Sequence, residues 1–251
     1  MRARDIVRQV AHRPWPLPSG PWIMRQTWSE LLFAHWPMPA TDLAALLPAG
    51  LTVDTYEGQA WLGVVPFRMS GVRPRGVPAI PWLSAFPELN VRTYVTAGGK
   101  PGVWFFSLDA TNALAVSAAR ATFHLPYFTA RMRCDFDGAA VEYASHRTHH
   151  GSAPADFQAV YRPIGSAYTA QAGSLEHWLA ERYCLYALSR RGHVLRGEIH
   201  HPPWLLQPAE AEIRSNTMAL AAGLALSDIP PLLHYAARQD TLVWLPYRVS
   251  R

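Results

Sequence analysis

Side chains able to carry chemistry gather between Phe86 and Asp109. From Phe86 to Val95 the residue types alternate, so an extended strand puts Glu88, Asn90, Arg92 and Tyr94 on one face and Leu89, Val91, Thr93 and Val95 on the other. The turn Ala97-Gly98-Gly99-Lys100-Pro101-Gly102 leads into Val103 to Leu108, an almost wholly apolar return strand expected to be buried on both sides. Two readings of the polar face follow. In one, Asn90, Arg92 and Tyr94 line an interior cavity, where an arginine stays charged and offers a fork of donors to a carboxylate. In the other, the face is half-solvated, or Arg92 is paired internally with Glu88 or Asp109. Lys100 is the only lysine of the chain, so any chemistry that needs an amine side chain must use it.

Histidines offer other chemistry. His146, His149 and His150 form one group and His200 with His201 a second, but the spacing matches no common zinc pattern. A polar loop and a strand end are the expected settings, with no metal and no cofactor. His35, before Trp36-Pro37, and His124, two residues before Pro126, are candidates for a general acid or base, against the competing reading of structural histidines. Glu181-Arg182-Tyr183 supplies either charge at a rim or a surface ion pair. No nucleophile elbow, phosphate loop or dinucleotide fingerprint occurs, since Gly98, Gly99 and Gly102 make a turn between strands.

The elements that position these groups are short. With 22 prolines and 16 glycines, the chain is cut into pieces that suit strands better than long helices. Hairpins are expected for Leu51–Val53 with Ala60–Met69 and for Ala130–Phe136 with Ala139–His146 across Asp137-Gly138, with a third for Tyr183–Leu188 and His193–His201. Thr241 to Val249 reads as a closing strand. Helices are expected at Asp42–Leu47 capped by Thr41, at Asn112–Arg120, at Leu175–Arg182 capped by Ser174, and at Ala209–Leu224, the longest. Arg73 to Pro81 reads as a Pro-rich loop and Arg147 to Pro154 as a polar one.

Composition bounds the rest. Of 251 residues, 49% are hydrophobic and 16% charged, enough apolar surface for one core. The reading is a single domain over 1–251, with 1–21 as an N-terminal extension. No apolar run approaches the roughly 18 to 20 residues of a membrane helix and the N-terminus builds no signal segment, so no membrane association and a cytoplasmic location are expected. Cys134 and Cys184 lie far apart without a CxxC partner and read as buried thiols. The net charge is +5, but the basic residues are scattered, so no nucleic-acid partner is expected. The oligomeric state stays open, a homo-oligomer included.

Four runs carry a family resemblance: Trp28-Ser-Glu-Leu-Leu-Phe-Ala-His-Trp36, Phe86-Pro-Glu-Leu-Asn-Val-Arg-Thr-Tyr-Val95, Gly99-Lys-Pro-Gly-Val-Trp-Phe-Phe-Ser-Leu-Asp109 and Ala119-Arg-Ala-Thr-Phe-His-Leu-Pro-Tyr-Phe128. With Glu181-Arg182-Tyr183 and His201-Pro202-Pro203-Trp204, they resemble the YqjF-like family of bacterial proteins over roughly Met24 to Gln207. That family is similar in turn to the acetoacetate decarboxylase-like superfamily. The resemblance implies an α+β, β-rich fold, with a central antiparallel β-barrel, additional strands and a few peripheral helices. The decarboxylases carry an arginine followed by Pro-Lys-Lys, one lysine forming a Schiff base. Here Arg120 and Pro126 keep the spacing, while Tyr127 and Phe128 replace the lysines, and Lys100 is expected as an ordinary exposed ammonium in its turn.

Acetoacetate-type decarboxylation is therefore not expected. The resemblance implies instead a pocket in which Arg92, Asn90, Tyr94, Arg120 and His35 bind a small anionic or carbonyl-bearing ligand. Tyr127 and His124 are its candidate catalytic groups, for a lyase or hydrolase without a Schiff base. The alternative is a non-catalytic ligand-binding or interaction module.

Overall fold

The computed structural model of the protein describes residues 1–80 and 84–249. A short helix α1 (Ala3–Arg8) precedes strand β1 (Met24–Met38), helix α2 (Ala40–Ala44) and the two-residue strand β2 (Thr52–Val53). Next come β3 (Ala60–Pro74), β4 (Phe86–Ala97), β5 (Lys100–Ala110), α3 (Ala113–Thr122), β6 (Tyr127–Phe136), β7 (Val141–Arg147) and β8 (Asp156–Pro163). The chain continues through α4 (Leu175–Ala180), β9 (Cys184–Leu188), β10 (Val194–His200) and β11 (Gln207–Asn216). A 3-10 turn at Leu220–Ala222 leads to β12 (Leu232–Val243) and β13 (Tyr247–Arg248).

The strands hydrogen-bond into one sheet whose pairings branch and return. β12, β1, β3, β4 and β5 pair antiparallel in that order. One branch passes from β5 to β9 and β10, and β10 meets β12 again through Ile199 opposite Val243 and His200 opposite Leu242. The other runs β5, β6, β7, β8, β11 and back to β12. The sheet is not antiparallel throughout, because β5 pairs in parallel with both β6 and β9 at the two branch points.

The shared strands are covered on both sides. Leu32, Ala34, Leu62, Val64, Leu89 and Val91 pack against Tyr143, Phe157 and Tyr161 of the β6–β11 branch. Leu31, Phe33, Val65, Phe67, Met69 and Phe86 belong to a second cluster on the opposite side. Burial on both faces is why these segments read as continuous apolar runs. Two bulges set which residue faces which way. Against β3, β1 carries an extra residue between Ser29 and Ala34, with Glu30 at a left-handed φ of 48°. The matching irregularity in β3 falls at Gly71, φ 60°, between the partners of Arg25 and Thr27.

Several local expectations hold. The β6–β7 hairpin turns at Asp137-Gly138, where Asp137 Oδ1 accepts from the amides of Ala139 and Ala140, each at 2.8 Å. Ser174 Oγ caps α4 by accepting from His177 N at 3.2 Å. β9 and β10 pair as a hairpin, and both cysteines are buried and unlinked.

Others are corrected. Ala209–Leu224 is not a helix: β11 alternates Ala209, Ala211 and Ile213 inward with Glu210, Glu212 and Arg214 outward, and pairs with β8. Good helix formers there yield to period-two burial. β2 pairs with β4, not β3. Helix α2 starts after Pro39 with no side-chain cap, so Thr41 lies inside it. The closing strand begins earlier, at Leu232, and breaks after Val243. Arg73 and Pro74 belong to β3, and Pro81 lies outside the described residues. No helix among the described residues is long and apolar enough to cross a membrane.

The N-terminal residues are held in place: Ile6 is buried against Leu242 and Trp244, and Trp244 Nε1 donates to Gly20 O at 2.7 Å. Between β5 and β7, Arg147 Nε and Nη2 donate to Asp109 Oδ2 and Oδ1 at 2.9 and 2.6 Å, with both side chains buried. Asp109 is thus committed to Arg147 and is not the partner of Arg92. Replacing Arg147 alone, as Arg147→Leu, is expected to cost about 3–5 kcal/mol in urea unfolding, because it strands a buried carboxylate. The double replacement with Asp109→Leu should recover more than half of that loss.

Candidate functional site

A cavity of about 280 Å³ lies inside the circuit β12–β1–β3–β4–β5–β9–β10, on the side of the shared strands away from the packed core. Strand register orders its wall. Arg92 stands opposite Gly63 and Phe105, Asn90 opposite Val65 and Leu108, Glu88 opposite Phe67 and Ala110, and Phe86 opposite Met69. Beyond Phe86 the lining is Trp28, Val72 and Met24 with the amide of Gln26, so the ionisable groups of β4 lie toward the Arg92 end. Glu88, Asn90, Arg92 and Tyr94 do share one face of β4, as the alternation requires, and Glu88 is 3%, Asn90 5% and Tyr94 0% exposed, with Arg92 half-buried.

At the other end the Arg92 guanidinium lies 5.1 Å from the Phe33 ring centroid and 5.7 Å from that of Tyr94. Its Nη2 donates to the Tyr94 hydroxyl at 3.4 Å, and that hydroxyl is 2.6 Å from Nε2 of His35. Burial, then the charges of Arg92 and His234, hold the His35 imidazolium well below its ordinary range, so His35 is neutral at pH 7. Gly63 makes room for this group: a Cβ there would come within 3.1 Å of the His35 ring and 3.4 Å of Arg92 Cγ. Tyr94 and His35 lie behind the cavity wall and fix Arg92.

Arg182, just after α4, reaches the same end. It is 4% exposed, pairs with Asp54 at 2.6 Å and lies 4.2 Å from the Trp178 ring centroid and 4.7 Å from that of Tyr94. The expected surface pair with Glu181 is not formed. Glu181 instead accepts from Trp204 N at 2.8 Å and from the Tyr183 hydroxyl.

Midway along the chamber, the Tyr127 hydroxyl donates to Glu88 Oε2 at 3.0 Å. Burial lifts the Glu88 carboxyl to about 8; the Tyr127 hydrogen bond opposes the shift and the Asp109 charge adds to it. At pH 7 Glu88 is therefore mainly a neutral acid, and burial also pushes the Tyr127 hydroxyl well above its usual range. Several buried polar atoms of lining residues have no hydrogen-bond partner among the described residues: Asn90 Oδ1, Arg92 Nε, Arg182 Nη2 and Trp204 Nε1. Buried polar atoms are rarely left so, and these four belong to residues of one cavity. With Arg182 offset by Asp54 and Glu88 neutral, the uncompensated positive charge of the chamber among the described residues is that of Arg92.

Other candidates lie elsewhere. Arg120 is exposed and donates to the backbone oxygen of Tyr127 at 2.6 Å, bracing the strand without lining the cavity. His124 has a left-handed φ of 55° and is not in the lining, although Phe123 and Leu125 on either side of it are. Lys100 is not an exposed turn ammonium: it begins β5, 3.5 Å from buried Glu198 and 5.0 Å from the Trp15 ring centroid, outside the lining. His146 pairs with Asp156 at 2.7 Å, while His149 meets Thr129 and Arg120. Glu88, Arg182 and His201 line the cavity. The alternation of β4 points to Glu88; no sequence signal brings Arg182 to it.

A family model covering residues 25–240 matches the chain; it is DUF2071, described as an uncharacterized conserved protein. Uncharacterized protein YqjF of Bacillus subtilis (strain 168) is 53% identical over 228 residues, 91% of this chain and 93% of that one. Among solved structures, the enduracididine biosynthesis enzyme MppR complexed with pyruvate aligns with a TM-score of 0.63 at 12% identity, covering 94% of this chain and 93% of that one. An acetoacetate decarboxylase from Legionella pneumophila aligns with a TM-score of 0.62 at 13% identity, covering 98% and 95%. At such identities the structures speak for the fold, which is of the acetoacetate decarboxylase-like kind, and the sequence matches speak for the family: the chain belongs to DUF2071.

Proposed function

We propose that the seven-strand circuit works as a barrel around a binding chamber for a small organic acid. Arg92, assisted by Arg182, holds the carboxylate, and Glu88 with Tyr127 forms an acid-base pair for a carbonyl farther along the same ligand. The observation that carries this reading is the Arg92 guanidinium, with a buried, unpartnered Nε and no carboxylate partner among the described residues, in a cavity where Asn90, Arg182 and Trp204 also keep unmatched polar atoms. Two of the fold neighbours support it: one is a complex with pyruvate and the other is named for decarboxylation of an oxo acid. A carboxyl that is neutral at pH 7 can give its proton to a carbonyl oxygen as charge develops there and take it back afterwards. The reaction class is then lyase or hydrolase chemistry without a Schiff base, since Lys100 sits with Glu198 outside the chamber.

Calorimetric titration of short carboxylic and oxo acids tests the reading. Arg92→Met is expected to weaken binding by at least about tenfold, the value of a lost charge-assisted hydrogen bond; affinity that ignores Arg92 would overturn the assignment. Binding should also weaken as pH rises through about 8, where Glu88 ionises and repels the ligand anion, and Glu88→Gln should flatten that profile. Stability has a defined sign as well. Between the ordinary carboxylate range and about 8, the native state keeps a proton that the unfolded chain has lost, so wild-type stability falls with rising pH. The fall is at most about 1.4 kcal/mol per pH unit, and urea denaturation of Glu88→Gln across pH 5 to 8 should show it removed.

A further inference from the structure

The chamber holds two polar stations, not one, and their spacing restricts what can fill it. Arg92 and Glu88 lie on the same face of one uninterrupted strand, four residues apart, which is about 13 Å at the rise of an extended chain. The guanidinium packs between the rings of Tyr94 and Phe33, and Glu88 is held by Tyr127 from the neighbouring branch. Between the stations the wall is apolar, with Val65, Phe67 and Leu108 around the single amide of Asn90.

A three-carbon oxo acid carries its carbonyl beside its carboxylate and cannot touch both stations. A hydrogen bond of about 3 Å at each end leaves about 7 Å to be bridged. At about 1.2 Å per bond of an extended chain, that takes about six bonds. The volume agrees, because about 280 Å³ is roughly nine waters' share of liquid.

We infer that the ligand is an elongated, medium-chain acid whose carbonyl lies some six bonds from its carboxylate, with the intervening methylenes against the apolar wall. This rests on the reading of Arg92 as the carboxylate holder and adds to it the separation of the two ends. It sets the ligand class apart from 2-oxo and 3-oxo acids, whose two functions are one or two bonds apart.

Titrating the wild-type protein at pH 7 with octanoate, 2-oxooctanoate, 7-oxooctanoate and pyruvate decides the matter. 7-Oxooctanoate should bind on the order of five- to tenfold tighter than octanoate, the worth of one added hydrogen bond, whereas 2-oxooctanoate should gain nothing. In Glu88→Leu the ratio of 7-oxooctanoate to octanoate affinity should fall to about one. A 2-oxo gain equal to or above the 7-oxo gain, or pyruvate binding as tightly as 7-oxooctanoate, would overturn the separation. Failure of the underlying reading looks different: octanoate affinity unchanged in Arg92→Met, or no binding of any of these acids, would overturn the carboxylate site itself. The wild-type series alone suffices should Glu88→Leu not fold.

Discussion

Both sides of strand β4 are largely covered, and most of the molecule's character follows from that. One face is filled by the packed core with β3 and the β6–β11 branch; the other must be either filled or left as a chamber. Polar groups on the second face cannot be solvated by bulk water, so each needs a partner built into the protein or brought by a ligand. The alternation of Glu88, Asn90 and Arg92 with Leu89 and Val91 is thus a division of the strand between two interiors.

The same burial has opposite outcomes for two neighbouring carboxyls. Desolvation raises both, but Asp109 meets the fork of Arg147 and stays inside an ion pair, whereas Glu88 meets only a tyrosine hydroxyl and is lifted to about 8. Register decides which carboxyl gets which partner. Leu89, opposite Asp109, faces the packed core, while Glu88 faces the chamber. A structural charge and an acid-base candidate therefore arise from adjacent residue pairs without any special sequence around them.

Much of this was legible in the residues. The face shared by Glu88, Asn90, Arg92 and Tyr94 follows from a two-residue period, the β6–β7 turn from Asp-Gly, and the α4 cap from Ser174. β11 was misread because Ala, Glu and Arg favour helix locally, and only the pairing with β8 gives its alternation meaning. Arg182 was beyond reach for another reason. It lies dozens of positions from Arg92 in sequence, and only the β5 branch point brings α4 and β9 to the same wall, whereas Tyr127 was named through the family resemblance.

The extra residue near Glu30 has a consequence of its own. Before it, Met24, Gln26 and Trp28 line the chamber; after it, Leu31 does, with Phe33 and His35 following on the same side of the strand, because the added residue shifts the phase of the alternation by one. β1 is in effect two strands in opposite phase joined end to end. Loss of one residue at that joint would rotate everything downstream, sending His35 into the packed core and Ala34 to Arg92's side. The length of β1 between Ser29 and Ala34 is therefore a more stringent requirement than the identity of any one residue within it.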